Sequence, residues 1–299
     1  RAAESMLAVD GDIAPAMSNL SLKHSAAHGG TFAVAGGQAW ALGPLEVAFN
    51  QGDGLVINGG NAALTLSAVR AHANQGGGMV VSTTGPLGIQ DSESANNGGV
   101  GISMTTTARL DLQRTTVTGQ ESGTGVVVNN AAPDSTFVDL TVAGNAIALR
   151  AVPNLIERIL TDNDIRDIER GIRVIGATLT EAVNWAAGPI YVLEGDTTVA
   201  AGAALNLAAG AMVKFVDATE WRDDVDLNVS GRLTTILGEA PVVFTALTDD
   251  IGGDTNGDGV ASTPAPGRWG RISSSGDALL QLDGATIRYG GGGNDGRCC

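Results

Sequence analysis

A glycine followed by an apolar, a variable and a second apolar residue recurs along the first half of the chain. The segments of this series are GTFAV from Gly30, GLVI from Gly54, GMVV from Gly78, GISM from Gly101, GVVV from Gly125, AIAL from Ala146 and GIRV from Gly171. Successive segments begin 21 to 25 residues apart. Alternating apolar and polar positions predict half-buried β-strands, because successive side chains of a strand point to opposite faces.

A second strand is predicted inside most of these periods. Its segments are LSL from Leu20, LEV from Leu45, LTL from Leu64, LGI from Leu87, LDL from Leu110 and FVDL from Phe137. Polar residues and then Asn or Gly follow them, which suits corners where the backbone is left-handed or where side chains bond their own backbone. Two or three short strands in each period are typical of one coil of a parallel β-helix, whose coils stack about 4.8 Å apart around an apolar core.

Two other architectures do not fit this pattern. An amphipathic helix needs a period near 3.6, whereas the alternation here has a period of two and glycines interrupt it. Leucine-rich repeats have a similar length but carry a fixed leucine consensus that this chain lacks. We therefore predict an all-β fold, a right-handed parallel β-helix (solenoid).

The texture of the sequence changes after about residue 175. Short apolar strands persist, but Gly-Asp, Ala-Gly and Ser-Gly turns separate them: TTV, ALNL, MVKF, LNV, RLTTI and PVVFTAL. We predict parallel β-helix coils of about 22–25 residues over 1–175. Over 176–299 we predict a further β-helical segment with an inserted Asp/Gly-rich loop, continuous with the first.

The inserted loop reads DDIGGDTNGDGVASTPAPGRWG over residues 249–270. Its Asp-x-Asn-x-Asp-Gly stretch from Asp254 to Gly259 reproduces the first half of a calcium loop, in which oxygen ligands alternate before a sharp turn. The twelfth position, where a bidentate Glu belongs, is Ala265, so we expect carboxylates upstream of the loop to fold back and complete the site. The predicted metal ligands are Asp249, Asp250, Asp254, Asn256 and Asp258.

An alternative interpretation of the same loop needs no metal. Asn and Asp side chains also form local hydrogen bonds in solvated turns, and the loop is then simply an acidic turn. If Ca²⁺ binds, six to eight hard oxygens are available without nitrogen or sulfur, and the ion pins a long loop against a coil. Its role is then structural.

Three further stretches carry a resemblance: YVLEGDTTVAAGAALNLAAGAMVKF, PVVFTALTDDIGGDTNGDGVASTPAPGRWGRI and ATIRYGG. Together, from about Tyr191 to Gly290, they resemble a module of secreted bacterial right-handed parallel β-helix proteins. The resemblance implies a surface or adhesin-like protein, an extracellular or cell-surface location and a DTNGDG loop of the calcium type. Arg268 and Arg271 depart from the module, which more usually has an acidic or amide residue and a glycine there.

Composition and charge narrow the possible partners. The formal net charge is -15, from 17 Lys and Arg against 32 Asp and Glu, whereas a nucleic-acid binder needs a basic surface. No apolar run approaches the 18 or more residues of a membrane-spanning helix. Cys298 and Cys299 cannot form a disulfide framework. Because the chain opens on Arg1, we expect flanking coils, a signal and an anchor to lie outside it.

An enzyme remains the alternative, because several β-helix proteins act on polysaccharides, which is an argument from fold alone. A uronate lyase needs a basic residue and a cation that neutralises the substrate carboxylate. The densest mixture of charges is ERILTDNDIRDIERGIRV, from Glu157 to Val174. The interpretation without catalysis is that this stretch forms a coil corner, with its isoleucines turned inward and its opposite charges exposed.

The remaining candidate residues indicate no catalytic site. His24, His28 and His72 lie in the first coils, and without a third ligand His24 and His28 do not make a metal site. Paired Asp with Gly-His-Gly, a phosphate loop and a G-x-S-x-G elbow are all missing from the sequence. We predict a non-catalytic extracellular stalk or adhesin-like protein whose partners are glycans or surface proteins. The alternative is a calcium-dependent polysaccharide lyase or another carbohydrate-active β-helix enzyme.

Overall fold

A computed structural model describes residues 4–11, 17–217 and 224–292 of the chain. Trp221, Cys298 and Cys299 lie outside these ranges. The chain divides into two compact units, the first formed by residues 1–151 and 158–167 and the second by residues 152–157 and 168–299.

Unit 1 consists of short strands that return to the same positions in every coil. They are β1 (Leu7–Gly11), β2 (Leu20–Lys23), β3 (Gly30–Val34), β4 (Trp40–Leu42), β5 (Leu45–Ala48), β6 (Leu55–Gly59), β7 (Leu64–Ser67), β8 (Val69–His72), β9 (Met79–Ser82), β10 (Leu87–Gln90), β11 (Glu93–Ala95), β12 (Ile102–Thr105), β13 (Leu110–Thr118), β14 (Thr124–Asn130), β15 (Thr136–Ala143), β16 (Ile147–Ala151) and β17 (Asp164–Ile165).

These strands pair in parallel, each with the equivalent strand of the next coil. One ladder of unit 1 runs β1-β3-β6-β9-β12-β14-β16, a second runs β2-β5-β8-β11 and a third runs β4-β7-β10. The nine-residue strand β13 joins the second and third ladders because it pairs with both β10 and β11, and β15 and β17 then continue from it.

Unit 2 has three separate parallel ladders. Its strands are β18 (Ile172–Val174), β19 (Thr178–Leu179), β20 (Ala182–Trp185), β21 (Ile190–Leu193), β22 (Thr197–Val199), β23 (Ala204–Leu207), β24 (Met212–Phe215), β25 (Leu227–Val229), β26 (Arg232–Thr235), β27 (Val242–Ala246), β28 (Ile272–Ser274), β29 (Leu279–Leu282) and β30 (Ala285–Ile287). The ladders are β18-β21-β24-β27-β30, β19-β22-β25-β28 and β20-β23-β26-β29. Each unit is a parallel β-solenoid, which confirms the predicted all-β fold.

The register stacks like residues, so the core of unit 1 is a set of apolar columns. Leu55 pairs with Met79, and Met79 pairs with Ile102, at steps of 24 and 23 residues. All three side chains are fully buried. A fully buried aliphatic side chain of this size contributes about 1.5–3 kcal/mol relative to an exposed one, so the repeated alternation selects the solenoid.

The glycine that opens each repeat is required by close contact with the next coil. A Cβ on Gly54 would lie 2.8 Å from the carbonyl oxygen of Gly78, and a Cβ on Gly78 would lie 2.6 Å from that of Gly101. The same contact recurs at Gly101, 2.6 Å from the carbonyl oxygen of Gly125. The repeat therefore keeps glycine because any side chain there would collide with backbone.

A ladder of buried amides runs through one corner of unit 1. Asn50 Nδ2 donates to Asn74 Oδ1 at 2.8 Å, and Asn74 Nδ2 donates to Asn97 Oδ1 at 2.9 Å. The amides also receive backbone N–H groups, such as that of Ser25 at 2.9 Å from Asn50 Oδ1. The buried backbone N–H groups at this corner are thus hydrogen-bonded to side chains one coil away, as buried polar groups require.

The position directly before this corner residue has a left-handed backbone in coil after coil. It is filled in turn by His24, Phe49, Ala73, Asn96, Gly119 and Gly144. Because left-handed backbone strains residues other than glycine by about 1–2 kcal/mol, the predicted Asn and Gly corners are the relaxed members of this set. Phe49 is the bulkiest exception, and its side chain is 47% exposed.

Segments that were predicted as one second strand belong to two ladders. Leu20 pairs with Leu45 in one ladder, whereas Leu64 pairs with Leu87 in another. Both ladders turn alternate side chains into the core, so the apolar-x-apolar pattern does not separate them. The middle coils of unit 1 therefore contain three strands.

The part of the chain that the structure describes contains one helix, α1 (Pro153–Leu160), which was not predicted. Proline suits the first turn of a helix, where its missing N–H is not needed, and Leu155, Ile156 and Ile159 of the helix are buried. Eight residues give too short a pattern to be recognised as a helix from periodicity. Among the described residues, no helix has the length and apolar character needed to cross a membrane.

Candidate functional site: the acidic loop after strand β27

We call residues 249–258 the acidic loop; it follows β27 and folds over the outer face of the first ladder of unit 2. On that face Arg173 lies beside Val192, Val192 beside Lys214, and Lys214 beside Thr245. Arg288 follows β30 and donates its backbone N–H to Phe244 O at 2.9 Å. We call Arg173, Lys214, Thr245 and Arg288 the outer column.

Arg173, Lys214 and Thr245 of the outer column are buried although they do not face the core, and Arg288 is partly exposed. In β24 the core-facing residues are Val213 and Phe215, so the alternation turns Lys214 to the other side. Lys214 nevertheless has no exposed surface, and Arg173 is only 7% exposed. The contacts described below show that the acidic loop covers both.

Lys214 is the centre of these contacts. Its Nζ donates to Asp249 O at 2.6 Å, to Gly253 O at 2.9 Å and to Thr255 Oγ1 at 3.0 Å. An ammonium has three N–H donors, so the three contacts saturate it. Burial lowers the pKa of Lys214 below its usual value, and the nearby carboxylates of Asp249, Asp250 and Asp254 oppose that shift.

Two arginines hold the far end of the loop. Arg173 Nη2 donates to Thr255 O at 2.6 Å. The guanidinium of Arg170 lies against Gly257, where a Cβ would come within 2.5 Å of its central carbon. Gly257 also has a left-handed φ of 77°, so this position requires glycine for both its conformation and its contact.

Asp249 begins the loop but turns toward the sheet. Its side chain is buried, and Thr245 Oγ1 donates to its Oδ2 at 2.6 Å. Arg288 Nη2 lies 3.4 Å from the same oxygen, and Ile251 N donates to Oδ1 at 3.3 Å. The carboxylate of Asp249 therefore ties the loop to the outer column.

Asp254 organises the second half of the acidic loop, residues 254–258, which we call its outer half. Its Oδ1 accepts from the N–H of Gly257 at 2.7 Å and from that of Asp258 at 3.2 Å, and its Oδ2 accepts from the N–H of Gly259 at 2.8 Å. These hydrogen bonds, that of Gly259 most of all, hold the pKa of Asp254 below its usual value, and burial opposes them.

Asn256 and Asp258 join the same turn. Asn256 Nδ2 donates to Asp258 Oδ2 at 2.9 Å and to Ser262 Oγ at 2.8 Å, while its Oδ1 accepts from Asp258 N at 3.3 Å. The structure thus brings Asp254, Asn256 and Asp258 into one network and places Asp249 in another. Asp250 belongs to neither network, and its Oδ1 is buried without a hydrogen-bond partner among the described residues.

An aromatic pair joins the segment after the acidic loop to β24. Trp269 is fully buried and stacks on Phe215, with ring centroids 4.0 Å apart and planes 7° apart. Its Nε1 donates to Arg288 O at 2.8 Å. Arg268 lies 3.6 Å from Asp217, whose carboxylate accepts from Thr248 Oγ1 at 2.7 Å. The segment after the loop therefore has contacts of its own to β24 and to Asp217.

The oxygen donors of the loop suit a hard cation such as Ca²⁺. A carboxylate oxygen has about two acceptor sites, and Oδ2 of Asp254 accepts a single described hydrogen bond. Asp250 Oδ1 is a buried oxygen that still needs a partner. Yet in the ranges 4–11, 17–217 and 224–292 no three His, Cys, Asp or Glu side chains converge as a metal site. Any ion held here needs amide, carbonyl or water oxygens as well.

The charged stretch on which the lyase alternative depends is used for structural contacts. In unit 1, Arg166 Nη2 lies 2.5 Å from Asp164 Oδ2, and this partner lowers the pKa of Asp164 and raises that of Arg166. The N–H of Gly144 donates to the Asp167 carboxylate. In unit 2, Arg170 and Arg173 contact the acidic loop, as described above.

The histidines of unit 1 are likewise engaged with neighbouring coils. His28 Nδ1 accepts from Asp53 N at 3.0 Å. His24 stacks on Phe49 with centroids 5.3 Å apart, and His72 meets the edge of the same ring at 5.5 Å. His72 Nε2 also lies 3.0 Å from Glu46 Oε1. None of these contacts brings the imidazoles to a common point.

Sequence reasoning missed Lys214 and Thr255, which join the outer column to the loop. The signal for Lys214 was a charged residue inside MVKF, an otherwise apolar strand. Buried lysines are rare unless they are paired, so a lysine at that position predicts a segment that packs over it and accepts its hydrogen bonds. Thr255 lies in DTNGDG between two predicted ligands, and nothing in the sequence marks its burial.

Comparison with known proteins identifies one family. The family model described as a right handed beta helix region matches residues 16–184, which is more than half of the chain. No curated protein and no solved structure matches the chain.

Proposed function

Since the chain belongs to the right-handed β-helix family, we propose that it is a non-catalytic extracellular or cell-surface stalk of an adhesin-like kind. It displays its faces to glycans or surface proteins, and a structural Ca²⁺ stabilises its acidic loop. The resemblance of residues 191–290 to secreted bacterial β-helix modules supports the location and the calcium.

The structural use of the charged stretch carries the non-catalytic part of this proposal: Arg166 pairs with Asp164, and Arg173 donates to Thr255 O. Each described carboxyl group with a shifted pKa has that pKa lowered by hydrogen-bonding partners, and these groups are Glu46, Asp91, Asp164 and Asp254. A general acid instead needs a pKa raised toward the working pH. Lys214, whose pKa is lowered, has no exposed surface from which to reach a substrate.

The calcium part rests on the outer half of the loop. Asp254, Asn256 and Asp258 would hold the ion, since they share one network and carry oxygens of the type that calcium prefers. Asp250 Oδ1 is the further candidate because it is buried and lacks a partner among the described residues. The bound ion would neutralise the excess of carboxylates in the loop.

Thermal unfolding with and without calcium tests this part. A ligand present at one hundred times its Kd stabilises the folded state by about 2.7 kcal/mol, so CaCl₂ should raise the Tm above that in EDTA, and MgCl₂ should raise it less. The double variant D254N/D258N should lose the response to calcium. The matched control D277N changes an exposed aspartate outside the loop and should keep it. An equal Tm in calcium and EDTA for the unaltered protein would remove the ion from the proposal.

Incubation with acidic and neutral polysaccharides tests the non-catalytic part. With calcium and with EDTA, we expect neither new reducing ends nor unsaturated uronate absorbance over a day. Turnover that disappears in R166M or R170M would place chemistry on the charged stretch before β18. Turnover that disappears in D254N/D258N would instead make the acidic loop part of a catalytic site.

A further inference from the structure

We propose that the outer column of unit 2, with Lys214 at its centre, is an internal cation site that closes the acidic loop without a bound metal ion. This inference goes beyond the proposed stalk and does not rest on calcium binding.

The first argument is the coordination of the ammonium. Lys214 Nζ contacts two main-chain carbonyl oxygens and one hydroxyl, all from residues 249–255 and all between 2.6 and 3.0 Å. Carbonyl and hydroxyl oxygens that converge on one point are what a metal ion would otherwise need. In this loop the protein's own cation already fills that position.

The second argument is the position of Lys214 in its ladder. Val192 is its partner in the preceding strand of the ladder and Thr245 its partner in the following strand, so the fold tolerates small uncharged residues on this face. A buried lysine is expensive unless its charge and all its donors are satisfied. The acidic loop supplies the three acceptors and the neighbouring carboxylates. These contacts explain why a lysine can be buried at this position.

The third argument is that the column contacts the loop at both ends. Arg288 and Thr245 hold the carboxylate of Asp249 at the start of the loop. Arg173 holds the carbonyl oxygen of Thr255 toward its far end. The candidate calcium ligands Asp254, Asn256 and Asp258 use other atoms, so closure and calcium binding are separate properties of one loop.

Amide hydrogen exchange in EDTA tests the proposal. The N–H groups of Gly253, Gly257 and Gly259 bond within the loop and report its closure. In the unaltered protein we expect them to be protected in EDTA. In K214M, which keeps most of the side-chain volume but removes the charge, we expect them to exchange at least tenfold faster. Amides of the ladder β20-β23-β26 should change less than threefold.

Two controls separate charge from general damage. K23M makes the same substitution at the other lysine of the chain, whose side chain is exposed in part and paired with Glu46, and loop exchange should not change. In K214A, propylammonium replaces the missing atoms and should restore protection, whereas propanol and ammonium chloride should not. If the Lys214 variants do not fold, T255V removes one acceptor from the loop side and should speed loop exchange about threefold.

Either of two results would overturn the proposal. The first is unprotected loop amides in EDTA in the unaltered protein, which would mean that metal closes the loop. The second is loop exchange in K214M, or in T255V where that variant stands in, at the unaltered rate. A calcium titration on the same samples keeps the two proposals apart. If the loop is protected but calcium does not bind, the calcium part of the proposed function is wrong and the proposal for Lys214 stands.

Discussion

Charged residues of this chain have two different energetic roles, and Lys214 and Glu46 represent them. Lys214 is buried and saturated by the acidic loop, so removal of its charge leaves orphaned oxygens in the interior. Glu46 is surrounded at the surface by Lys23, Ser21 and His72, and solvent screens its contacts. Buried unsatisfied groups are costly, whereas exposed pairs contribute little.

We predict that E46Q weakens the fold at neutral pH but not at strongly acidic pH. Hydrogen bonds from Lys23 and His72 lower the pKa of Glu46 to about 2, below the usual value of about 4.3 for an unfolded chain. A lowered folded pKa stabilises the protein above the unfolded pKa, and this stabilisation is lost as the pH falls through the folded pKa. The window is therefore about pH 4.3 to 2.

Urea unfolding at pH 6 and at pH 2.5 measures this effect. The midpoints of the unaltered protein and E46Q should differ at pH 6, and most of that difference should be lost at pH 2.5, near the lower end of the window. E239Q, which changes an exposed glutamate in a turn of unit 2, should show no difference at either pH. A gap between the unaltered protein and E46Q of the same size at both pH values would contradict the assignment.

At the scale of single elements, corners contribute as much to specificity as strands. Strand columns such as Leu55, Met79 and Ile102 can be exchanged among aliphatic residues of similar volume with modest loss. The amide ladder has no such freedom, because the amide of Asn74 bonds backbone groups of the preceding coil and the amides of both neighbouring coils.

We therefore predict that N74A destabilises the protein by about 3 kcal/mol, as expected when several buried polar groups lose partners. Asn74 Oδ1 accepts from both the backbone and the side chain of Asn50, and its Nδ2 donates to Asn97 and to Val47 O. Alanine leaves these groups unpaired in the interior. Free energies of unfolding from urea denaturation measure the loss.

The matched control for that variant is N61A. Asn61 is an exposed corner residue of a neighbouring coil, and surface substitutions of this kind usually change stability by no more than about 0.5 kcal/mol. An N74A variant that unfolds with the same free energy as N61A would show that the amide ladder is dispensable.

The strands could be predicted from the sequence because alternate side chains of a half-buried strand are buried, which gives an apolar pattern with a period of two. GLVI and GMVV became β6 and β9 with Leu55 and Met79 stacked. The pattern did not separate the ladder of Leu20 from that of Leu64, since both bury alternate residues in the same way. It also missed α1, whose one short run of apolar positions is bounded by strands.

The acidic loop was predictable only where its contacts are local. Asp254, Asn256 and Asp258 lie within five residues, and the structure joins them in one turn. Lys214 contacts residues 35 to 41 positions later in the chain. Alternation predicts the register of strands but not where an inserted loop returns, so the partner of Lys214 could not be read from the sequence.

At the scale of the whole molecule, charge limits which partners the proposed stalk can hold. A net charge of -15 repels polyanions at low ionic strength, and this repulsion is screened over about 10 Å at 0.1 M salt. Several described arginines are engaged: Arg114 with Asp91, Arg70 with Glu93 and Arg173 with Thr255. They offer little positive charge to an acidic polymer.

This balance predicts different salt responses for two classes of glycan. In affinity gels at 20 mM NaCl, a neutral polysaccharide that binds the stalk should retard it equally in calcium and in EDTA. A polyuronate should retard it only when calcium bridges the carboxylates of both partners, or weakly at 300 mM NaCl where repulsion is screened. D254N/D258N should abolish the calcium-dependent retardation and leave retardation by the neutral glycan unchanged.

Strong retardation by a polyuronate in EDTA at 20 mM NaCl would require a basic surface that the described residues do not provide. That result would favour an acidic-polysaccharide enzyme over a stalk.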